Sequence, residues 1–485
     1  MSTTIEDKTP GAGRRQRLGV QDALWLEMDT PGNLMVVDSL FWTDGPMEWD
    51  EYLTVIRERL WDRYPVFRSV AVRGDDGAWW WQEQDGARLE DRYEHVVLPA
   101  PGGDDELQAL VAEQRVAPLD PGEPLWRSIL VDGYRGGSAV LFRAHHAIAD
   151  GIRMVQLTLS IFDTSPDGAP AARGAIHHPD DLGTTLDTGP RGLVAHATGA
   201  VGTSLQIART AVTNPIGAVH SALALTTAAV GAAGAVGGRA AAVLPGDLDT
   251  VRKLVLGTRN DNAAWTGHVG DQKVICWSEP LSLADTKRIA HAHGATVNDV
   301  LVTCVADSLR VYLNAHGTVC HSVTWDVPVN LQPFDPDLPI VLGNGFALVQ
   351  LELPTHTDDI EVALHTVRDR MRRIKRGHEA IVDFGIQALI SRMSKGVYRL
   401  SIDVLANRAV GVLTNVPGPQ IPLYAAGRRV EAMMGWAPLA ADQAMSMTIY
   451  SYDGKVFVGL AADAGLVPEA DTIMTGFVDA FERLC

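Results

Sequence analysis

The stretch His145-His146-Ala147-Ile148-Ala149-Asp150-Gly151 decides how the rest of this 485-residue chain is read. It sets a base, a carboxylate and a glycine side by side. A histidine whose ordinary pKa is ~6.5 can take a proton from a hydroxyl at neutral pH and pass it to a leaving group, which is what acyl transfer from a thioester to an alcohol requires. Successive side chains on a strand point to opposite faces, so both histidines enter one cavity only if the strand ends between them. His146, next to the loop, is the candidate base, and His145 reads as a satisfied structural histidine. Asp150 stays open between accepting the imidazole proton and pairing with an arginine to hold the loop. Gly151 fits a backbone that turns sharply or approaches another segment closely.

Outward from the heptad, Ser138 to His146 reads as a strand, and Ile152, Val155, Leu159 and Phe162 fall on one buried helix face. Upstream, Trp49 to Tyr64 patterns as an amphipathic helix, so the first domain mixes strands and helices. Residues 1–17 read as a flexible tail, 18–180 as the first domain, 181–270 as an Ala/Gly-rich helical connector and 271–485 as the second domain. Within the connector, 192–245 carries only Arg209 and Arg239 as charges, but Ala and Gly give a weak insertion signal. A buried or interfacial helical connector is therefore preferred to a membrane span. In the second domain, Ser282 with Asp285 and Thr296 with Asp299 open two helices in capping-box style, and Gly294 closes the first. Met445, Met447 and Ile449 alternate with polar residues before Asp453-Gly454, which predicts a β-hairpin.

Composition narrows the function. The 41 Lys and Arg against 59 Asp and Glu give a net charge of -18, which removes the electrostatic footprint of a nucleic-acid binder. Cys276, Cys304, Cys320 and Cys485 form no C-x-x-C pair and read as reduced thiols of a cytoplasmic protein. No metal is expected, because adjacent histidines on a strand diverge. A second histidine pair, His177-His178-Pro179-Asp180-Asp181, has neither the spacing nor the glycine, so a pair alone means little. G-x-S-x-G is absent, as are the dinucleotide and Walker-type glycine loops. Direct attack by a bound hydroxyl on an acyl donor is the simpler chemistry.

The chain resembles the bacterial wax ester synthase/acyl-CoA:diacylglycerol acyltransferase family, within the CoA-dependent acyltransferases. The heptad is similar to that family's HHxxxDG motif, and Pro124-Leu125-Trp126 to its PLW motif. Asn298-Asp299, Pro328-Val-Asn-Leu331, Gly343-Asn344, Asn415-Val-Pro-Gly-Pro419 and Ser451-Tyr-Asp-Gly454 resemble further landmarks in the expected order. There are departures: Leu18-Gly-Val-Gln-Asp22 replaces the usual start near Leu-Ser-Pro-x-Asp, Thr414 stands for a Ser, and Gln332 for an Arg.

The resemblance implies an α/β fold of two chloramphenicol-acetyltransferase-like domains joined by a helical crossover, with the active site in a tunnel at their interface. It implies His146 as general base, His145 in support, Asp150 orienting the loop and Gly151 serving the backbone. Trp126, Asn298 and Asn415 are carried over as substrate-binding residues, although a helix cap and shape-setting roles also account for that neighbourhood. Acyl-CoA is the implied co-substrate with no bound cofactor, and a diacylglycerol or fatty alcohol the acceptor. Such substrates suggest peripheral contact with the inner membrane face or lipid bodies. Two competing readings remain: a condensation-type acyltransferase using an amine or carrier-bound substrate, and a non-catalytic lipid-body protein.

Overall fold

The structure, a computed structural model, describes residues 5–6, 14–168, 264–330, 338–344, 346–376 and 406–485. Most of the connector, the 177–181 histidine pair, Leu331 and Gln332 lie outside the described residues. The first half contains β1 (Ile5–Glu6), β2 (Arg15–Arg17), α1 (Val20–Met28), β3 (Val36–Thr43), α2 (Trp49–Ile56), β4 (Ser69–Arg73) and β5 (Trp79–Glu83). It continues through β6 (Tyr93–Val97), α3 (Asp104–Val116), β7 (Trp126–Tyr134), β8 (Gly137–His145) and α4 (Gly151–Ser160). The second half contains β9 (Lys273–Trp277), β10 (Leu281–Ser282), α5 (Leu283–Ala292), α6 (Val297–Ala315), β11 (Ser322–Asn330), β12 (Phe346–Pro354) and α7 (Ile360–Arg376). It ends with β13 (Gly411–Pro417), β14 (Tyr424–Ala425), β15 (Arg428–Trp436), β16 (Met445–Tyr452), β17 (Lys455–Asp463) and α8 (Asp471–Leu484).

Two large sheets organise these elements. One runs β14-β15-β3-β8-β7-β6, the other β10-β17-β16-β13-β11-β12 with β9 also on β17. β8 lies inside the first sheet, and all nine of its residues are buried. A strand covered on both faces needs an unbroken apolar run, which Ala139-Val-Leu-Phe142 supplies. A small sheet, β1-β2-β5-β4, stands beside it.

The boundary in space differs from the boundary at residue 271. β14 and β15 belong to the second half of the chain but complete the first sheet, with Val430 to Trp436 paired antiparallel to Asp38 to Thr43. The 271–485 domain is therefore not self-contained. Sequence cannot show this, because an edge-completing strand has the same apolar pattern wherever it pairs.

The hairpin is confirmed, with Asp453 and Gly454 both at positive φ in the turn. Its alternation, however, does not separate core from solvent, since every residue of β16 is buried. Met445, Met447 and Ile449 join the core beneath α6 and α8, while Tyr450 and Tyr452 join the core of the first half. The polar residues of the alternation face the other half of the molecule. Trp42, Trp277 and Phe457 meet across that interface, with ring centroids 6.0 and 6.3 Å from Trp42.

Other expectations need correction. Arg15–Arg17 is not tail but strand, paired with β5 and fixed by the Arg15 guanidinium on Gln82 Oε1 at 2.6 Å. The Trp49–Tyr64 helix is α-helical only to Ile56 and widens into a π-turn over Arg57–Trp61, just before Pro65. On α4 the buried stripe is Met154, Leu157 and Leu159, with Val155 only half-buried. Asp38 (β3), Arg143 (β8) and Arg115 (α3) form a buried ion cluster, with Arg143 Nε–Asp38 Oδ1 at 3.1 Å and Arg115–Asp38 Oδ2 at 2.6 Å. Arg115 also donates to Ala437 O at 2.7 Å and so ties the first half to the segment that follows β15.

Candidate active site

The histidine loop follows from where β8 stops. The strand ends at His145, so the alternation of faces lapses and His146 is released into the turn that leads to α4. Three backbone hydrogen bonds fix that turn: His145 N to Leu125 O, His146 N to Met35 O and Ile148 N to His145 O, at 2.9, 2.7 and 3.0 Å. Every residue from His145 to Asp150 is buried.

His145 is committed locally. Its Nδ1 accepts from Ala147 N at 3.1 Å, and its Nε2 lies 3.3 Å from Asp29 Oδ2. Asp29 is itself held by the N–H of Met35 at 2.6 Å. Asp29, close to His145 Nε2, is a neighbour that sequence reading missed.

His146 is placed by both halves of the molecule. Its ring stacks on Trp25 of α1, with centroids 4.1 Å apart and planes inclined by 27°. Its carbonyl accepts from Asn344 Nδ2 at 3.0 Å. Burial pushes the His146 imidazole down to about 4, and the neighbouring His145 pushes in the same direction. The ring is thus neutral at physiological pH, the form able to accept a proton.

Asn344 also ties the second half to α1. Asp22 Oδ1 accepts from both Asn344 N and Asn344 Nδ2, at 3.0 and 2.7 Å. Burial raises the Asp22 carboxyl above its ordinary range even though these hydrogen bonds pull it down. At Gly343, φ is 142°, a value L side chains rarely adopt, and an added Cβ would stand 3.6 Å from the Asp22 carboxylate. Asp22, Trp25 and Asn344 were not singled out as site residues, although Asp22 and Asn344 fall within stretches that resemble family landmarks. The missing signal is distance along the chain: 322 residues separate Asp22 from Asn344.

Asp150 caps α4, its Oδ1 accepting from Arg153 N at 2.9 Å. That is a loop-holding geometry. The expectation for Gly151 is corrected: its φ is not in the left-handed region and an added Cβ would meet nothing within 4 Å. The expectation for Trp126 is corrected too. It is buried in the core of the first half, its indole N–H donates to Phe67 O at 2.7 Å, and its ring packs against Phe67 and Tyr93. Asn298 and Asn415 meet each other, Asn415 Nδ2 donating to Asn298 Oδ1 at 2.7 Å, and neither hydrogen-bonds His146. Asn415 pairs with Ile449, which places it on the helix-covered face of the second sheet. Thr296 and Asp299 form the expected capping box, at 3.2 and 2.8 Å. Among the described residues, no group of three or more His, Cys, Asp or Glu is arranged to hold a metal ion.

The arrangement of two sheet-based halves is shared with solved structures. The wax ester synthase/diacylglycerol acyltransferase from Marinobacter aquaeolei superposes with a TM-score of 0.64 at 18% identity, covering 96% of this chain and 98% of that one. The first condensation domain of the calcium-dependent antibiotic synthetase superposes at 0.57 and 15% identity, covering 96% and 94%. These likenesses define the fold class. Family models then match residues 18–301 to the wax ester synthase/diacylglycerol acyltransferase catalytic domain and 342–485 to the C-terminal domain of the same family. The chain belongs to the wax ester synthase/diacylglycerol acyltransferase family and is an acyltransferase. It is 26% identical to the probable diacylglycerol O-acyltransferase tgs1 of Mycobacterium tuberculosis, over 93% of this chain and 91% of that protein. It is 23% identical to the O-acyltransferase WSD of Acinetobacter baylyi, over 81% of each.

Proposed function

We propose that the chain moves a long-chain acyl group from acyl-CoA to the hydroxyl of a diacylglycerol or a fatty alcohol, with His146 as the general base. The observation that carries this reading is the His146 ring: buried, neutral, stacked on Trp25 and fixed through its own carbonyl by Asn344.

In the reaction, the alcohol oxygen attacks the thioester carbonyl while its proton passes to His146. The carbon–sulphur bond then breaks, and the same proton goes to the departing thiolate. Proton transfer by a positioned side chain contributes about 10²- to 10⁴-fold, and alignment in a water-poor site adds to it. His145, whose Nδ1 accepts from Ala147 N, fixes the strand end from which His146 projects. Asp150 holds the start of α4 and takes no proton.

Contact with a membrane or lipid body is peripheral in this account. Its substrates dissolve in lipid, while among the described residues no helix is long and apolar enough to cross a membrane. Extraction of the protein from membranes by high salt supports that contact, and resistance to extraction contradicts it.

Thiol release from long-chain acyl-CoA, measured with diacylglycerol, a fatty alcohol or an amine as acceptor, tests the reaction. Release with either alcohol supports the proposal. Release with the amine alone moves the chain to condensation-type chemistry, and release with none refutes an acyl-CoA-dependent transferase.

A further inference from the structure

We propose that Trp25 is a catalytic residue, the π face of its indole stabilising the imidazolium that His146 becomes when it takes the acceptor's proton. This assignment rests on the reading of His146 as the base and gives a chemical role to a residue which that reading uses only to place the ring.

The indole lies where such an interaction is strong. Its ring centroid is 4.1 Å from that of His146 with the planes inclined by 27°, so the imidazole lies over the face of the indole and not its edge. A cation within ~6 Å of an aromatic centroid is drawn to the negative face of the ring quadrupole, and tryptophan is the strongest aromatic partner. α1 holds the indole in place from both ends. Asp22, Trp25 and Asp29 follow the i, i+3, i+7 spacing of one helix face. Asp22 Oδ1 accepts from Asn344 N and Nδ2 at 3.0 and 2.7 Å, and Asp29, the C-cap of α1, accepts from Met35 N at 2.6 Å. The indole between them is preorganised before any proton moves.

The new charge needs such a partner. Burial pushes the His146 imidazole down to about 4 and His145 acts in the same direction, so a proton on this ring is disfavoured. The carboxylates around the loop are engaged with other groups: Asp22 with Asn344, Asp29 with Met35 N, and Asp150 with Arg153 N. The side chain of Asn344 and the backbone of His146 itself favour the protonated ring, and the indole adds a face-on contact to them. An attraction that grows as the ring becomes charged is stronger in the transition state than in the ground state. It therefore raises kcat and leaves KM for acyl-CoA nearly as it was.

The chain has 12 tryptophans, so the test installs tryptophan with one, two or three ring fluorines at position 25 alone, by suppression of a stop codon there. Fluorine drains the negative potential of the face with little change of size, so the burial of His146 is kept. Across the series kcat is expected to fall stepwise, by roughly 2- to 30-fold in all, the range of a face-on cation contact. KM should hold, and the acid limb of kcat/KM should move stepwise down from about 4, because a weaker face holds the proton less tightly. Trp25→Leu, which fills space without a π face, should be at least as slow as the most fluorinated enzyme. A kcat that ignores fluorination overturns the proposal, as does an acid limb that stays or rises, or a Trp25→Leu enzyme as fast as wild type. Failure of the base reading looks different: His146→Ala then matches wild type, or no acyl-CoA reacts at all, and both readings fall together.

Discussion

Two helix starts carry the motifs of this chain, and they end differently. At α4 the cap is Asp150, and the residues before it lead back to His146. At α6 the cap is Thr296 with Asp299, and Asn298 lies between them after Val297. Locally the two obey the same rules, a short polar side chain accepting from a backbone N–H three residues on, at 2.9 and 3.2 Å. What differs is the company brought from far along the chain. Asn298 meets Asn415, amide to amide, and its oxygen is satisfied. His146 meets Trp25 and Asn344, which bury it and fix its backbone. A cap motif builds a helix start, and only the distant partners distinguish the proposed reaction site at one start from the joint at the other.

The contrast can be broken by substitution, and the largest effect is expected at the histidine. His146→Ala should lower thiol release from acyl-CoA by about 10²- to 10⁴-fold at saturating acceptor while the protein stays folded, as read by circular dichroism. Activity equal to wild type would make both helix starts structural.

At the other start the effect is on stability. Asn298→Ala leaves the Asn415 amide short of its partner and should cost about 1–3 kcal/mol in denaturant unfolding. Asn415→Ala should cost a similar amount, and the double variant less than the sum. Full additivity would show that the pair is not a unit.

Smaller changes are expected from the caps. Asp150→Ala should cost about 0.5–2 kcal/mol by leaving Arg153 N without its acceptor, while Asp150→Asn should recover most of that loss. A large loss of rate in Asp150→Asn with stability restored would give the carboxylate a chemical role. Gly151→Ala should be the mildest, changing stability by less than about 1 kcal/mol, because the backbone is ordinary and the space beside it open. Loss of activity in that variant without loss of stability would mark the open space as part of the substrate path.

The legible parts of the molecule are those whose rules are local. The strand before the histidines, the helix after Gly151, both caps of the second half and the Asp453-Gly454 hairpin all follow from neighbours in sequence. His146 was legible as a candidate because the strand's alternation and the loop's carboxylate are adjacent to it. Trp25, Asp22 and Asn344 were not found as site residues, because their roles exist only once α1 and the segment before β12 are brought together. Trp126 was misplaced for the opposite reason: a motif neighbour of the site in sequence packs into the core in space. The same limit hid β15, whose apolar residues pair with β3 from the other half.

Acid should reveal the buried histidine in two ways. The His146 pKa is about 4 in the folded protein against ~6.5 when unfolded, so between these values the unfolded chain binds the extra proton. The contribution of this group to stability is therefore complete above about 6.5, declines as pH falls and is gone below about 4.

The most direct test of the central claim, that a neutral buried His146 is the base, is the pH dependence of kcat/KM for acyl-CoA in the wild-type enzyme. An acid limb with a midpoint near 4, matching the depressed imidazole, is expected in the wild type and should disappear in His146→Ala. A limb near 6.5, or one that survives in His146→Ala, would contradict it.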